Sequence, residues 1–253
     1  MSLLSTEAIV LHAFDYLESS RVLRLATRDA GVRSAIAKGA RRSSRRFGGG
    51  LDLFSRGVAH LYTKPGRDLD TLAGFDDLRA NVDLAADLGR FTGASAIAEL
   101  TLRFSREASA DTSLYDAVAG ALETIAAAPP EKTRAPVLAG AWRIVAELGF
   151  APALDECAEC HALLATDDVV MFSHPAGGAL CGRCARLARG RILPATARAA
   201  IRAWLSGGTA HFDDAAEVRA HQRLLREFLV EHLADGRPLR AFDVWATDQW
   251  GAV

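Results

Sequence analysis

The 253-residue sequence places all its cysteines in one short segment, where they form two Cys-x-x-Cys pairs separated by twenty residues. The four positions are Cys157, Cys160, Cys181 and Cys184. Two residues between thiols allow both sulfur atoms of a tight turn to reach one metal ion, and two such turns complete a tetrahedral site. Four thiolates leave no coordination position for water. The spacing therefore predicts one structural Zn²⁺ ion per chain.

Other uses of these cysteines fit the sequence less well. A redox-active Cys-x-x-Cys motif needs only one pair, and two disulfides would suit an extracellular chain. His161 or His174, which lie inside the segment, is an alternative ligand in place of one thiolate. The zinc deaminases are excluded, because Leu180 stands where their motif has proline and no His-x-Glu triplet occurs in the chain.

A second segment has the composition of a phosphate-binding loop. No acidic residue occurs between Ala30 and Leu51. Six cations in this region are predicted to contact DNA: Arg33, Lys38, Arg41, Arg42, Arg45 and Arg46. Uncompensated cations beside serine hydroxyls are typical of a nucleic-acid backbone contact, and a solvated surface loop is the alternative. For the neighbouring Phe47 we favour a core anchor over a platform on which a base stacks.

The charge distribution agrees with this interpretation. The first 80 residues hold 13 Lys/Arg and 9 Asp/Glu, a net charge of +4, whereas the remainder holds 17 and 22, a net charge of −5. Such asymmetry favours contact of the first part with nucleic acid. The N-terminus has no basic, apolar signal sequence, and no stretch approaches 18 uncharged apolar residues. We therefore expect a cytoplasmic, nucleoid-associated protein.

The first 80 residues alternate between short apolar runs and turns rich in glycine, proline and aspartate, which predicts five strands and no helix of normal length. The predicted strands are 6–14, 20–27, 32–38, 54–63 and 69–75. Five strands in so short a segment indicate a small closed barrel, residues 1–79, that binds nucleic acid. An OB-fold fits this count, and an SH3-like barrel fits it nearly as well.

From residue 80 onward, alanine, leucine, arginine and glutamate recur at helical spacing. The predicted helices are 81–89, 91–105, 112–128, 132–148, 195–204 and 213–232, with Asn81, Asp111 or Thr112, and Asp213 as candidate N-caps. A β-hairpin is predicted between the cysteine pairs, as in a zinc ribbon. The fold class is thus α+β: an OB-like five-stranded β-barrel, then a helical bundle over residues 80–253 with a four-cysteine insertion at about 150–190.

The basic segment resembles the signature loop of the bacterial recombination-mediator family RecO. The matching residues are Lys38-Gly39-Ala40-Arg41-Arg42, Arg45-Arg46-Phe47-Gly48-Gly49-Gly50-Leu51 and Phe54-Ser55. The opening Glu7-Ala8-Ile9-Val10-Leu11 is also similar to the start of that family, and the order of barrel, bundle and four-cysteine insertion extends the resemblance over essentially the whole chain. Asp52-Leu53 stands where family members often show Gln-Pro, which puts a carboxylate beside the basic loop.

The resemblance implies an OB-fold, binding to single- and double-stranded DNA, strand annealing, and loading of the RecA recombinase onto DNA coated by single-strand-binding protein. It also implies a partnership with RecR. On the matching positions it implies that Lys38, Arg41, Arg42, Arg45 and Arg46 contact DNA, and that the four cysteines bind zinc.

The sequence shows no motif of a catalytic site. It contains no Gly-x-Ser-x-Gly or His-Glu-x-x-His, and the triple glycine after Phe47 is not followed by Gly-Lys-Ser/Thr. The histidines near the last long helix, His211, His221 and His232, are interpreted as surface or half-buried residues. We expect a non-enzymatic protein. The alternatives are an interaction scaffold whose basic loop binds an acidic protein tail, and a nuclease that contains a zinc ribbon.

Overall fold

The computed structural model describes residues 2–40, 47, 51–79, 82–105, 110–210, 212, 214–233 and 237–247. Its first part is a closed five-stranded barrel in the order β1-β2-β3-β5-β4. The strands are β1 (Ser2–Tyr16), β2 (Ser20–Thr27), β3 (Gly31–Ala37), β4 (Arg56–Thr63) and β5 (Leu69–Arg79). Only the β3–β5 pairing is parallel. This order is that of an OB-fold, so the prediction of an OB-like barrel is confirmed.

Strand β1 shows why the barrel packs so closely against the rest of the chain. Successive side chains of a strand point to opposite faces. Ala8 and Val10 lie in the barrel core, whereas Ile9 and Leu11 join the hydrophobic core of the helices. Both faces of β1 are therefore buried in this region. This explains why Ala8–Leu11 is a continuous apolar run and does not alternate with polar residues, as it would in a strand with one solvent-exposed face.

Seven helices follow the barrel among the residues that the structure describes. They are α1 (Val82–Ala86), α2 (Leu88–Phe104), α3 (Thr112–Ala127), α4 (Arg134–Glu147), α5 (Ala195–Leu205), α6 (Ala215–His232) and α7 (Arg240–Thr247). Asp111 caps α3 by accepting a hydrogen bond from the amide of Leu114, as predicted. The first predicted helix is divided, because the Asp87 carboxylate accepts from the Arg90 amide and starts α2. Asp214 is the N-cap of α6, whereas the predicted caps Asn81 and Asp213 lie outside the described residues. Helix α7 was not predicted.

The cysteines lie between α4 and α5 in a segment that we call the cysteine module, residues 150–193. It contains a three-stranded sheet in the order β7-β6-β8, built from β6 (Val170–Ser173), β7 (Gly178–Leu180) and β8 (Arg191–Leu193). The predicted hairpin corresponds to β6 and β7. The third strand was missed, because three residues with a single buried side chain give no periodic signal. No helix in the described part of the chain has both the length and the apolar character to cross a membrane.

Candidate metal centre and nucleic-acid interface

The fold brings the four cysteines together. The sulfur atoms of Cys157, Cys160, Cys181 and Cys184 all lie within 4.8 Å of one another. The Cys160 and Cys181 sulfur atoms are 3.8 Å apart. A tetrahedral site with zinc–sulfur bonds of about 2.3 Å requires sulfur–sulfur separations of about 3.8 Å. The four side chains are thus positioned to bind one metal ion, with a donor set compatible with zinc.

Each Cys-x-x-Cys pair lies in a tight turn that is closed by a backbone hydrogen bond. The amide of His161 donates to the Cys157 carbonyl, and the amide of Ala185 donates to the Cys181 carbonyl, at 2.8 and 2.9 Å. Cys157 is fully buried. Burial alone would raise the pKa of its thiol, but hydrogen bonds from the backbone of Cys181, Cys160 and Glu159 lower that pKa to about 6. The turn geometry therefore favours the thiolate at Cys157, which is the form that binds a metal ion.

The two histidines considered as alternative ligands lie outside the cluster. His161 has positive φ at the end of its turn, and its Nδ1 lies 3.3 Å from a Glu156 carboxylate oxygen. His174 packs edge-on against Phe172, and its Nε2 lies 3.2 Å from the carbonyl of Leu224 on α6. Neither imidazole belongs to the group of close metal-ligating atoms, so the four thiols are the donor set that the geometry supports.

A buried arginine holds the module against the helices. The Arg198 side chain is fully buried, and its Nε and Nη1 donate to the carbonyls of Leu154 and Ala165 at 2.8 and 2.6 Å. Burial lowers the pKa of this guanidinium. The neighbouring Arg202 pairs with Asp155 at 2.5 Å. Helix α5 thereby satisfies backbone acceptors on both sides of the first cysteine turn, which the sequence pattern did not reveal.

The basic segment leaves the barrel after β3. Lys38 is exposed, and Gly39 follows it with φ +74°, in the left-handed region. Phe47 is buried in the barrel core together with Leu51. The prediction that Phe47 anchors the loop is confirmed. Arg41, Arg42, Arg45 and Arg46 lie outside the described residues, so the structure fixes the two ends of the basic loop and its central anchor.

Arg33 occupies a different environment from Lys38. It has the same strand parity as the core residues Ala35 and Ala37, and its Nη2 lies 2.6 Å from a carboxylate oxygen of Asp70. Only 18% of the Arg33 side chain is exposed. Its guanidinium is therefore committed to an ion pair inside the barrel, and its predicted contact with DNA stays a prediction. The Asp52 carboxylate, in turn, lies 3.6 Å from Arg21 on β2.

Comparison with known proteins agrees with this geometry. The family models described as "Recombination protein O N terminal" and "Recombination protein O C terminal" match residues 1–80 and 85–241. The chain belongs to the RecO family. It is 37% identical over 240 residues to a DNA repair protein RecO of Anaeromyxobacter dehalogenans (strain 2CP-C), covering 92% of both chains. It is 36% identical over 246 residues to the protein of that name from Anaeromyxobacter sp. (strain Fw109-5), covering 94% of this chain and 93% of that one.

A network that the sequence did not predict joins the barrel of this RecO family member to α3. The Glu7 carboxylate accepts hydrogen bonds from Arg56 and from the Tyr115 hydroxyl, at 2.8 and 3.3 Å. Arg56 also donates to Glu123 at 3.0 Å, and Arg28 donates to Asp116 at 2.6 Å. Burial is the main cause that raises the pKa of Tyr115 to about 12. Glu7 belongs to the opening motif that resembles RecO, and that motif was the available signal.

One chain of polar side chains on the RecO barrel looks like a catalytic triad. Ser5 Oγ lies 2.8 Å from His60 Nδ1, and His60 Nε2 lies 3.0 Å from Asp76. These residues are cross-strand neighbours on β1, β4 and β5, because Ser5 is paired with His60 in the β1–β4 register. Acyl transfer also needs donors aimed at the developing oxyanion and exclusion of water. Ser5 and Asp76 are exposed on the outer surface of the barrel, where the three side chains form a cross-strand contact between β1, β4 and β5.

Proposed function

We propose that this protein is a non-enzymatic recombination mediator in DNA repair, which binds and anneals single DNA strands and helps to load a recombinase onto protein-coated single-stranded DNA. The observation that carries the proposal is that exposed Lys38, the first cation of the basic segment after β3, directly follows a strand of an OB barrel in a chain of the RecO family. OB barrels commonly bind oligonucleotides.

The proposed mechanism is electrostatic. Lys38 stands exposed at the start of the loop, and Phe47 holds the middle of the loop on the barrel. Lys38, Arg41, Arg42, Arg45 and Arg46 would neutralise phosphates, which releases condensed counterions and makes binding steeply salt-dependent. Two strands held with partly neutralised backbones repel each other less, and this favours annealing. Arg33 is paired with Asp70, and only the exposed 18% of its side chain would be accessible to a phosphate.

We propose that the metal ion is a single structural zinc held by Cys157, Cys160, Cys181 and Cys184. The sulfur–sulfur spacing and the N–H donors around Cys157 support this assignment. When bound, the ion would cross-link the two cysteine turns and leave no open position for substrate. Its contribution would be to order the cysteine module rather than to take part in a reaction.

The partners that we propose are single- and double-stranded DNA, a RecR-type protein, single-strand-binding protein and, indirectly, the recombinase RecA. The place of action would be the cytoplasm, in association with the nucleoid. These proposals rest on family membership, and the charge asymmetry between residues 1–80 and the remainder supports the contact with DNA.

The test is an annealing and binding experiment on the full chain. Wild type and an Arg41→Glu/Arg42→Glu variant are titrated with labelled single-stranded DNA at several salt concentrations, and annealing of complementary oligonucleotides is followed in parallel. If all six predicted cations contact phosphates, the slope of log affinity against log salt is about −4 for wild type. The variant should bind and anneal more weakly. An Arg219→Glu/Arg240→Glu variant, which reverses two exposed arginines on α6 and α7, serves as the matched control.

Two outcomes of this experiment would contradict the proposal and favour one of the alternative functions. Wild type that ignores oligonucleotides in dilute buffer but binds an acidic peptide would identify the basic loop as a contact for a protein tail. Magnesium-dependent cleavage of DNA that disappears on acid-to-amide substitution would identify a nuclease.

A further inference from the structure

We propose that the loop between the second cysteine turn and β8, residues 184–190, forms a second DNA contact. In this contact Arg186 and Arg189 bind phosphates, and Leu187 lies against a base or sugar of a single strand. The proposal deepens the DNA-binding function proposed above and rests on it. It concerns a surface in the opposite half of the chain from the basic loop of the barrel.

The sequence around this loop is free of carboxylates over an unusual length. Residues 169–212 contain no aspartate or glutamate, a stretch of 44 residues, compared with 22 residues for the stretch 30–51. The arginines in this stretch are Arg183, Arg186, Arg189, Arg191, Arg198 and Arg202. The two acid-free stretches are therefore similar in their number of cations, although only the first belongs to the barrel.

The structure assigns four of the six arginines to other tasks. Arg198 and Arg202 hold the first cysteine turn, as described above. Arg191 donates through Nε and Nη2 to the two carboxylate oxygens of Glu227 on α6. Arg183 lies inside the second cysteine turn, between Cys181 and Cys184. A zinc ion with four thiolates has a net charge of about −2, so Arg183 would compensate the metal centre.

Arg186 and Arg189 remain available for a ligand. Both side chains are exposed, and no carboxylate of the described residues lies within ion-pair distance of either. Leu187, between them, is 92% exposed, the largest value among the large hydrophobic residues that the structure describes. Two cations that flank an exposed aliphatic side chain match one strand of DNA, which offers phosphates and apolar base faces in alternation.

The backbone of the loop is fixed at both ends, so the loop that carries Arg186 and Arg189 should lose little conformational entropy when DNA binds. At its start, the amide of Leu187 donates to the Cys184 carbonyl at 3.1 Å in a short 3-10 turn. At its end, Gly190 passes so close to β6 that a Cβ atom would collide with the Phe172 carbonyl oxygen. A preorganised loop loses little conformational freedom on binding.

The charges of the two cysteine turns favour DNA as the ligand and restrict its contact to the second turn. The first cysteine turn carries Asp155, Glu156 and Glu159, whereas the second carries only cations. A polyanion would be repelled from the first turn and attracted to the second. The contact is therefore narrow, with about two phosphates, and it would add to the affinity supplied by the barrel rather than replace it.

The experiment compares Arg186→Ala/Arg189→Ala with a matched variant, Arg219→Ala/Arg240→Ala, which removes two exposed arginines from α6 and α7. Binding of labelled single-stranded DNA is measured from low to moderate salt with the full chain. We expect the affinity of the first variant to fall about tenfold at low salt and its salt slope to become shallower by roughly 1.4, which is about 0.7 for each of two phosphates. The matched variant should change little. Zinc content and circular dichroism verify that both variants are folded.

A second measurement reports position. A photoreactive benzoylphenylalanine at Leu187 should cross-link to the oligonucleotide, whereas the same group at exposed Val230 on α6 should not. If wild type binds DNA but the loop variant keeps wild-type affinity and slope, this inference fails while the proposed function stands. Unchanged DNA binding with lost binding to a polyglutamate peptide would assign the loop to a protein tail and also overturn it. Loss of DNA binding by wild type itself would overturn both.

Discussion

Arg33 on β3 and Asp70 on β5 form an ion pair across the shortest strand pairing of the barrel, with Nη2 and Oδ2 2.6 Å apart. β3 and β5 are paired at only three positions, whereas the other pairings have seven or eight. The Asp70 side chain is 1% exposed, so its charge is held away from water and is neutralised by Arg33. The pair therefore reinforces the parallel pairing that closes the barrel.

Removal of Asp70 should weaken the barrel strongly. Asp70→Ala leaves the Arg33 guanidinium in a mostly buried position without its carboxylate, and we expect a loss of about 3 kcal/mol in the free energy of unfolding. The control is Asp52→Ala, which removes a carboxylate that is 80% exposed and 3.6 Å from Arg21. An exposed pair of that kind contributes less than about 1 kcal/mol. Urea denaturation measures both, and similar losses in the two variants would contradict the prediction.

Removal of one metal ligand should unfold the cysteine module alone. Structural zinc contributes on the order of ten kcal/mol in small modules, so Cys157→Ser should lose the ion and disorder residues 150–190. The barrel has its own hydrophobic core and should keep its protection from hydrogen exchange. Leu163→Ala, an exposed position of the same module, should bind zinc normally. Retained zinc stoichiometry in Cys157→Ser, measured by atomic absorption, would disprove the assignment.

Arg198→Met should detach the module from α5 without removing the metal site. The substitution removes the donors to the Leu154 and Ala165 carbonyls and leaves the carbonyl of buried Leu154 with only the 3.5 Å contact from Arg202, at an expected cost of about 2 kcal/mol. Hydrogen exchange should increase in residues 150–168 while one zinc per chain is retained. Arg198→Lys keeps the charge but cannot reach both carbonyls, and its effect should be intermediate. Unchanged exchange in the methionine variant would show that α5 does not hold the module.

His221 should make the helical part sensitive to acid. It is buried between Trp204 and Phe212, and among the described residues neither ring nitrogen has a hydrogen-bond partner. Burial lowers the pKa of its imidazole to about 4. As the pH falls from about 6.5 to 4, the unfolded chain binds a proton that the folded protein does not, so stability decreases by up to about 3 kcal/mol. His221→Phe should abolish this pH dependence of the free energy of unfolding. If the stability of wild type and variant changes with pH in the same way, the prediction is wrong.

Glu7→Gln should loosen the contact between barrel and α3 in a pH-dependent way. The hydrogen bond from Arg56 is the largest cause that lowers the pKa of the Glu7 carboxyl. A lowered pKa contributes stability above the unfolded value of about 4.3, and this contribution is lost as the pH falls through the folded value. The free energies of unfolding of wild type and variant should therefore differ at pH 7, by roughly 1 kcal/mol because the site is partly exposed, and the difference should shrink as the pH falls through the lowered pKa of Glu7. Thermal unfolding over a series of pH values measures the difference.

The sequence predicted the large features because each has a local signal. Period-two runs between turn residues indicated five strands, and each of the six predicted helices begins within three residues of an observed start. Cys-x-x-Cys spacing is itself a geometric constraint, and it was sufficient to assign Cys157 and Cys181 to one site. Helix α7 and strand β8 were missed, because they are short and owe their position to packing on α2 and β6.

What the sequence by itself determined was the set of groups: thiols spaced for one ion, cations without nearby carboxylates, and an apolar ring at Phe47. Only the tertiary structure decided which of these groups are free. It turned Arg33 toward Asp70, committed Arg191 to Glu227 and left Arg186 exposed. The physical reason is that ion pairing depends on carboxylates that are distant in the chain, 37 and 36 residues away in these two cases. Local sequence carries no record of such neighbours.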